Sequence, residues 1–243
     1  WAGAGMLWAQ LWFSRRRELA LPALPVWSWW KRILRIGLPA SARTFIYTTS
    51  SVMFTGILAA TAAGTAAVAA LPIGLTAESI AFMPGFAFAI AASALVGQAL
   101  GAKNERLAER FGWAAAWQSC AVMTTMAVVF YLFAEQFAGL FTSDPQVKAL
   151  AVAYLRINAL TEPLLAFGMT LAGALQGAGD SLKAMAATFV TQWVVRIPLA
   201  YLLAFGLGWD AHGAWWAMAL SSGFSGLLMI ALFRHGGWKR VKV

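Results

Sequence analysis

Residues 68–99 read VAALPIGLTAESIAFMPGFAFAIAASALVGQA. One charged residue, Glu78, interrupts an apolar run longer than the ~20 residues that a helix needs to cross a bilayer. Runs of this kind recur along the chain. Expected spans lie at 33–60, 68–99, 109–134, 147–175, 184–206 and 213–234. The 243-residue chain is 61% hydrophobic and 11% charged, with mean hydropathy +0.70. No alternation of strand period and no hairpin signal competes. The expected fold class is all-α, a polytopic membrane protein with a six-helix transmembrane bundle at 33–234.

Residues 1–13 are apolar and stop at Arg15, Arg16 and Arg17. A signal peptide places its basic region before the apolar run. The segment reads instead as the end of a truncated transmembrane helix. Residues 14–32 read as a basic cytoplasmic linker, and 235–243 as a basic cytoplasmic tail.

The net charge of +9 does not indicate nucleic acid, because the bases sit between apolar runs. Lys31, Arg32 and Arg35 stand at the start of the first span. Lys103, Arg106 and Arg110 follow the second, Lys183 the fourth, and Arg234, Lys239, Arg240 and Lys242 the sixth. By the positive-inside rule both ends are cytoplasmic, in an inner membrane. Trp27, Trp29, Trp30, Trp113, Trp209, Trp215 and Trp238 fall near expected interfaces, as an aromatic belt would. Cys120 is a single packed thiol, and His212 and His235 are isolated. No metal site, cofactor, catalytic triad or phosphate loop is expected.

Of nine acids, only Glu78 and Glu162 lie deep within apolar runs. Acids in such a setting face a cavity or a partner and mark function by default. Tyr154, Asn158 and Glu162 recur at i, i+4 and i+8, so a continuous helix puts them on one face. Glu162 falls roughly 20 Å of helical rise from the outer end, near the bilayer centre. Phe82 and Phe86 share a face with Glu78. Thr44, Thr48, Ser51 and Thr55 form a polar stripe on the first span, with Arg43 and Tyr47 alongside. Thr188, Gln192 and Arg196 form another on the fifth.

Thr48, Phe82, Phe86, Gln192 and Arg196 are expected to line a shared cavity. Arg196 is expected to be structural rather than ligand-binding, since carbonyls freed near Pro198 can also accept from it. Glu78, Tyr154, Asn158 and Glu162 are expected to bind a coupling ion, H+ or Na+, or the substrate. Burial disfavours a charged carboxylate, while a nearby cation favours it, so such a group can exchange a proton for a cation. Phe82, Phe86, Met83 and Met169 suit flat lipophilic cations. The structural alternative is an ion pair from either acid to Arg43, Arg156 or Arg196.

An ordered set of segments carries a resemblance. Ile36-Gly-Leu-Pro39-Ala40 opens the first span. Phe82-Met-Pro-Gly-Phe86 leads to Val96-Gly97-Gln98-Ala-Leu-Gly101 in the second. Then come Leu140-Phe141-Thr142 with Asp144, Tyr154-Leu-Arg-Ile157, Gly173-Ala-Leu-Gln-Gly177-Ala-Gly179-Asp180, and Arg196-Ile-Pro-Leu-Ala-Tyr201. The set resembles the C-terminal half of a MATE (multidrug and toxic compound extrusion) transporter. The resemblance implies a twelve-helix protein of two related lobes, with an N-terminal six-helix lobe as partner. It implies export of small cationic drugs or metabolites in exchange for protons or sodium, and no enzymatic activity. The nearest alternative is a flippase for a lipid-linked saccharide, whose cavity would carry several cations. Family members use acids in the seventh, eighth and tenth helices for coupling. The first span here, the counterpart of the seventh, carries none.

Overall fold

The computed structural model describes residues 27–240. The expected helix end at 1–13, residues 14–26 of the expected linker and residues 241–243 lie outside the described residues, as do the side chains of Trp27, Trp29 and Trp30. The chain divides at Leu38/Pro39 into two units. In the first, residues 27–38 are the start of helix α1 (Trp27–Ala59), which begins inside the stretch read as linker.

The second unit is helical along most of its length. α2 spans Gly64–Gly101, α3 Glu105–Leu132 and α4 Ala134–Phe141. α5 spans Pro145–Ala159 and α6 Glu162–Gly177. α7 runs over Ser181–Gly206, and α8 over Asp210–His235, followed by a 3₁₀ turn at Gly237–Arg240. Among the described residues, four stretches are long and apolar enough to cross a membrane: Phe82–Gly101, α3, α7 and α8. α5 and α6 pass together as a fifth, bent by 62°. α1 is long enough but is not among them. Arg43 and its Thr and Ser residues lower its hydropathy.

The expected continuous helix at 147–175 is therefore broken. Pro163 has no N–H to give, and its ring clashes with the carbonyl four residues back. That residue is Ala159, the last of α5. Leu160 and Thr161 form the corner, and Glu162 opens α6. α7 solves a similar problem without breaking. Its backbone widens to π geometry at Val190–Arg196, ahead of Pro198, and again at Leu202–Gly206. Such bulges re-aim side chains.

Two apolar clusters hold the bundle. One gathers Phe54, Leu58, Leu71, Tyr154, Leu155 and Trp215. The other gathers Val96, Phe167, Leu171, Leu175, Phe233 and Trp238. Trp215 and Trp238, expected at interfaces, are fully buried. Trp215 packs edge-on to Tyr154, with centroids 5.1 Å apart. Trp238 stacks on Phe233 at 4.8 Å and donates its indole N–H to the Phe233 carbonyl at 2.8 Å. A neighbouring Lys239–Glu109 ion pair, at 2.7 Å, ties the residues after α8 to the start of α3. At the other end Asp210, held at positive φ, accepts from the backbone N–H groups of Ala62 (2.6 Å) and Ala63 (3.2 Å).

In lipid, helices associate through close packing rather than through a hydrophobic drive. The seam between α2 and α6 depends on this. A Cβ on Gly173 would strike the Ala89 backbone, and one on Gly177 would strike the Ser93 backbone. Gly177→Val is therefore expected to cost at least about 2 kcal/mol, since a branched side chain there must push two backbones apart. Gly101→Ala meets nothing within 4 Å and should leave stability unchanged. Thermal unfolding in detergent checks the pair. Equal melting temperatures would show that the seam does not rest on this contact.

Candidate functional site

A cavity of about 590 Å³ opens between α1, α2, α6, α7 and α8. α1 contributes Arg43, Thr44 and Tyr47; α2 contributes Glu78, Phe82 and Phe86. α7 contributes Thr188, Gln192 and Arg196, facing Ser221, Ser222 and Ser225 of α8, with Met169 of α6 in the wall. Of the residues expected here, Phe82, Phe86, Gln192 and Arg196 are in place. Thr48 is not: it is exposed and is not part of the lining. The inward face of α1 runs through Arg43, Tyr47, Ser50, Phe54 and Leu58, spaced by three to four residues. It sits one residue, or about 100° of rotation, away from the expected stripe. Thr55 of the expected stripe bonds the Ser51 carbonyl of its own helix instead, at 2.9 Å.

The π segment of α7 explains how α1 is held. Its loosened turns leave groups free for the neighbouring helix. Ser50 donates to the Gln192 carbonyl at 3.2 Å, and the Trp193 indole donates to the Ile46 carbonyl at 3.2 Å. Arg196 projects from the end of this segment. Its partners are hydroxyls rather than the carbonyls expected near Pro198. Nε donates to Ser221 Oγ at 2.7 Å and an Nη to Ser222 Oγ at 3.0 Å.

Behind the cavity wall lies a void of about 10 Å³, lined by Glu78, Tyr154, Asn158 and Glu162 with apolar neighbours. A space of this size is at the threshold for one water molecule. Glu78 therefore touches both spaces. Its carboxylate accepts a short hydrogen bond from the Tyr154 hydroxyl. Asn158 donates to the Tyr154 carbonyl at 3.0 Å. Tyr154 is fully buried, clamped between Trp215 and Gly74. A Cβ at position 74 would enter the Tyr154 ring. Gly74, one turn before Glu78, is thus what lets the phenol reach the acid. The Gly74–Glu78 spacing was visible in the sequence, but its partner on α5 was not.

Glu162 is 3% exposed, and its Oε1 has no hydrogen-bond partner among the described residues. It stands at the first turn of α6, whose free N–H groups favour negative charge. Glu78 lies within electrostatic range of both Glu162 and Arg196. The ion pairs among the described residues are Arg156–Glu135, Lys183–Asp180 and Lys239–Glu109. None involves Glu78, Glu162, Arg43 or Arg196, so the structural ion pair considered for the two acids is not formed. No cluster of three His, Cys, Asp or Glu side chains occurs among the described residues.

Residues 39–202 match the family described as MatE. A protein of Thermotoga maritima, called probable multidrug resistance protein NorM, is 34% identical over 219 residues, covering 89% of this chain and 46% of that protein. One of the same name from Pseudomonas aeruginosa is 33% identical over 195 residues, covering 78% of this chain and 39% of its own length. The chain spans about half the length of the curated relatives it matches. Among solved structures, a MATE protein in its straight conformation superposes with TM-score 0.84 at 21% identity, covering 96% of this chain and 53% of the other. An outward-facing multidrug resistance MATE family transporter gives TM-score 0.82 at 23% identity, covering 89% and 48%.

The orphaned oxygen of Glu162 makes a stability prediction. A buried acceptor without a partner costs roughly 1–3 kcal/mol. Glu162→Met, which fills similar volume without the polar atom, is expected to raise the melting temperature in detergent. A lowered melting temperature would mean that the carboxyl holds the fold together.

Proposed function

The chain belongs to the MatE family, and we propose that it forms half of a secondary transporter that exports drug-like organic molecules in exchange for protons or sodium ions. It is a multi-pass membrane protein. The observation that carries the exchange reading is the buried Glu162 carboxyl, whose Oε1 has no partner among the described residues, set within electrostatic range of Glu78 across a void shared with Asn158 and Tyr154.

Two carboxylates this close in a dry site repel each other, so the site favours an uptake of positive charge. A proton or a small cation supplies it. Glu78 also faces the large cavity, whose volume suits a drug-sized molecule. A cationic group drawn to Glu78 can rest on Phe82, Phe86 and Met169. It then competes with the proton or sodium ion for the same negative charge. Mutual exclusion of this kind is what exchange requires, because each face of the membrane then loads one species only. Tyr154 and Asn158 hold Glu78 and the void in register. The relatives' name supports the efflux direction, and their length supports a second, N-terminal half that completes the wall. The basic segments Lys103–Arg110, Lys183 and Arg234–Lys242 favour a cytoplasmic position for one end of the bundle, in an inner membrane. Nothing in this reading calls for catalysis or a cofactor.

The test uses the complete gene in efflux-deficient cells preloaded with ethidium. Wild type should export the dye and lose that export on addition of a proton uncoupler or on removal of sodium. Glu162→Gln at equal membrane expression should slow export at least about tenfold, the loss expected when one charge-carrying group is neutralised. Undiminished export by that variant would remove Glu162 from the coupling site.

A further inference from the structure

α8 ends at His235. Gly236, at φ +73°, turns the chain back, with its N–H on the Phe233 carbonyl at 3.2 Å. The 3₁₀ turn Gly237–Arg240 then lays two side chains on the bundle. Trp238 is fully buried, in one apolar cluster with Val96 and Ala99 of α2, Ala108 of α3, Ala178 after α6 and Ala184 of α7. Lys239 bonds Glu109 of α3 and lies over the Trp238 ring, 5.6 Å from its centroid. Phe233, stacked on that ring, fills the space beside Gly112 of α3, where a Cβ would strike it. One turn after the last helix thus joins the ends of α2, α3, α7 and α8.

This turn lies behind one end of the large cavity. Ala184 and Met229 line the cavity and belong to the same apolar cluster as Trp238. Ser181, one turn before Ala184 at the start of α7, is also in the lining. These three are at most 5% exposed, whereas Leu75, Phe82 and Phe86 of the lining are 38–53% exposed. The wall is therefore closed at this end. Closure there carries a cost, because Ser181 Oγ is buried with no hydrogen-bond partner among the described residues. Such a hydroxyl favours any state in which water reaches it. The contacts of the turn after α8 oppose that tendency. They are of two kinds. The Trp238 ring is fully buried, while Lys239 and Glu109 are 25% and 39% exposed, so their ion pair is weak and readily exchanged for water.

We propose that Gly236–Arg240 is a strap that fastens this end of the cavity shut, and that its release lets α7 and α8 part at Ser181 and Met229. The proposal rests on the transport reading, in which this is the cytoplasmic end, and adds a device that gates it. Exchange needs a wall that opens and recloses on every cycle. A joint of one buried ring and one wet ion pair suits that task. The ion pair separates without disrupting the fold, because both groups regain water. The indole then guides the chain back to the same place on Phe233. Opening also hydrates the Ser181 hydroxyl, which offsets part of the contact that is lost.

The experiment reads the rate at which a water-soluble maleimide labels a single cysteine in the purified complete protein. The site is Ser181→Cys, in a background with Cys120→Ala and every other cysteine removed. Lys239→Gln should speed labelling about two- to fivefold, as for the loss of one partly exposed ion pair. The reversed pair, Glu109→Lys with Lys239→Glu, should restore the slow rate. Trp238→Ala should speed labelling at least about tenfold, since it empties the buried ring site. Ala151→Cys, buried in the other apolar cluster, controls for general loosening, and its rate should stay the same in every variant. Unchanged labelling at position 181 in both Lys239→Gln and Trp238→Ala would overturn the strap. Equal acceleration at position 151 would overturn it too. Labelling needs no transport, so the two readings fail separately. Absence of ethidium export by wild type removes the transport reading, whereas the labelling rates decide the strap.

Discussion

A carboxyl group buried among apolar helices has little water to turn to, and this constraint organises the structure around Glu78 and Glu162. Each polar atom there must find a partner in the protein, face a cavity, or remain unsatisfied at a cost of about 1–3 kcal/mol. Glu78 finds the Tyr154 hydroxyl and the cavity. Among the described residues Glu162 finds neither a donor for Oε1 nor a basic partner. Folding alone would replace it with an apolar residue. A group kept in so unfavourable a position is ready to accept a charge from outside, which is what the proposed exchange asks of it.

Everything nearby serves to hold that position. Two apolar clusters pack the bundle, one around Tyr154 and Trp215 and the other around Phe167 and Phe233. Gly173 and Gly177 bring α6 against α2, and Gly74 lets Tyr154 close on α2. The break at Pro163 gives Glu162 a helix start of its own. The π segment of α7 presents Gln192 and Arg196 to the cavity while tying its backbone to α1. Small residues and prolines thus set the distances, and the few polar side chains use them.

Much of this was legible in the sequence. Long apolar runs identify the helices because hydrocarbon tolerates few charges, and the two deep acids stand out for the same reason. The glycine segments carried the family resemblance, but the approach of α2 to α6 that Gly173 and Gly177 allow was not read from them. What could not be read depends on partners distant in sequence. The polar stripe of α1 suggested Thr48 on the cavity wall, but Ser50, Phe54 and Leu58 fix the rotation one residue away. Carbonyls near Pro198 were among the partners open to Arg196, yet the serines of α8 reach it first. Trp215 looked interfacial from its place near a span end, but the ring of Tyr154 draws it into the core. The i, i+4, i+8 spacing of Tyr154, Asn158 and Glu162 assumed one straight helix. The three still meet at a single void, through a corner that Pro163 imposes.

The central claim is that a bound cation and the coupling ion compete for the charge of Glu78 and Glu162. Its most direct test is the count of ions released when ethidium binds the purified complete protein. Titration calorimetry in two buffers of different ionisation enthalpy reads protons, and the sodium dependence of affinity reads sodium. The account predicts release of close to one proton or one sodium ion per ethidium bound, and none from Glu162→Gln. Ethidium binding that releases neither ion from the wild-type protein would contradict it.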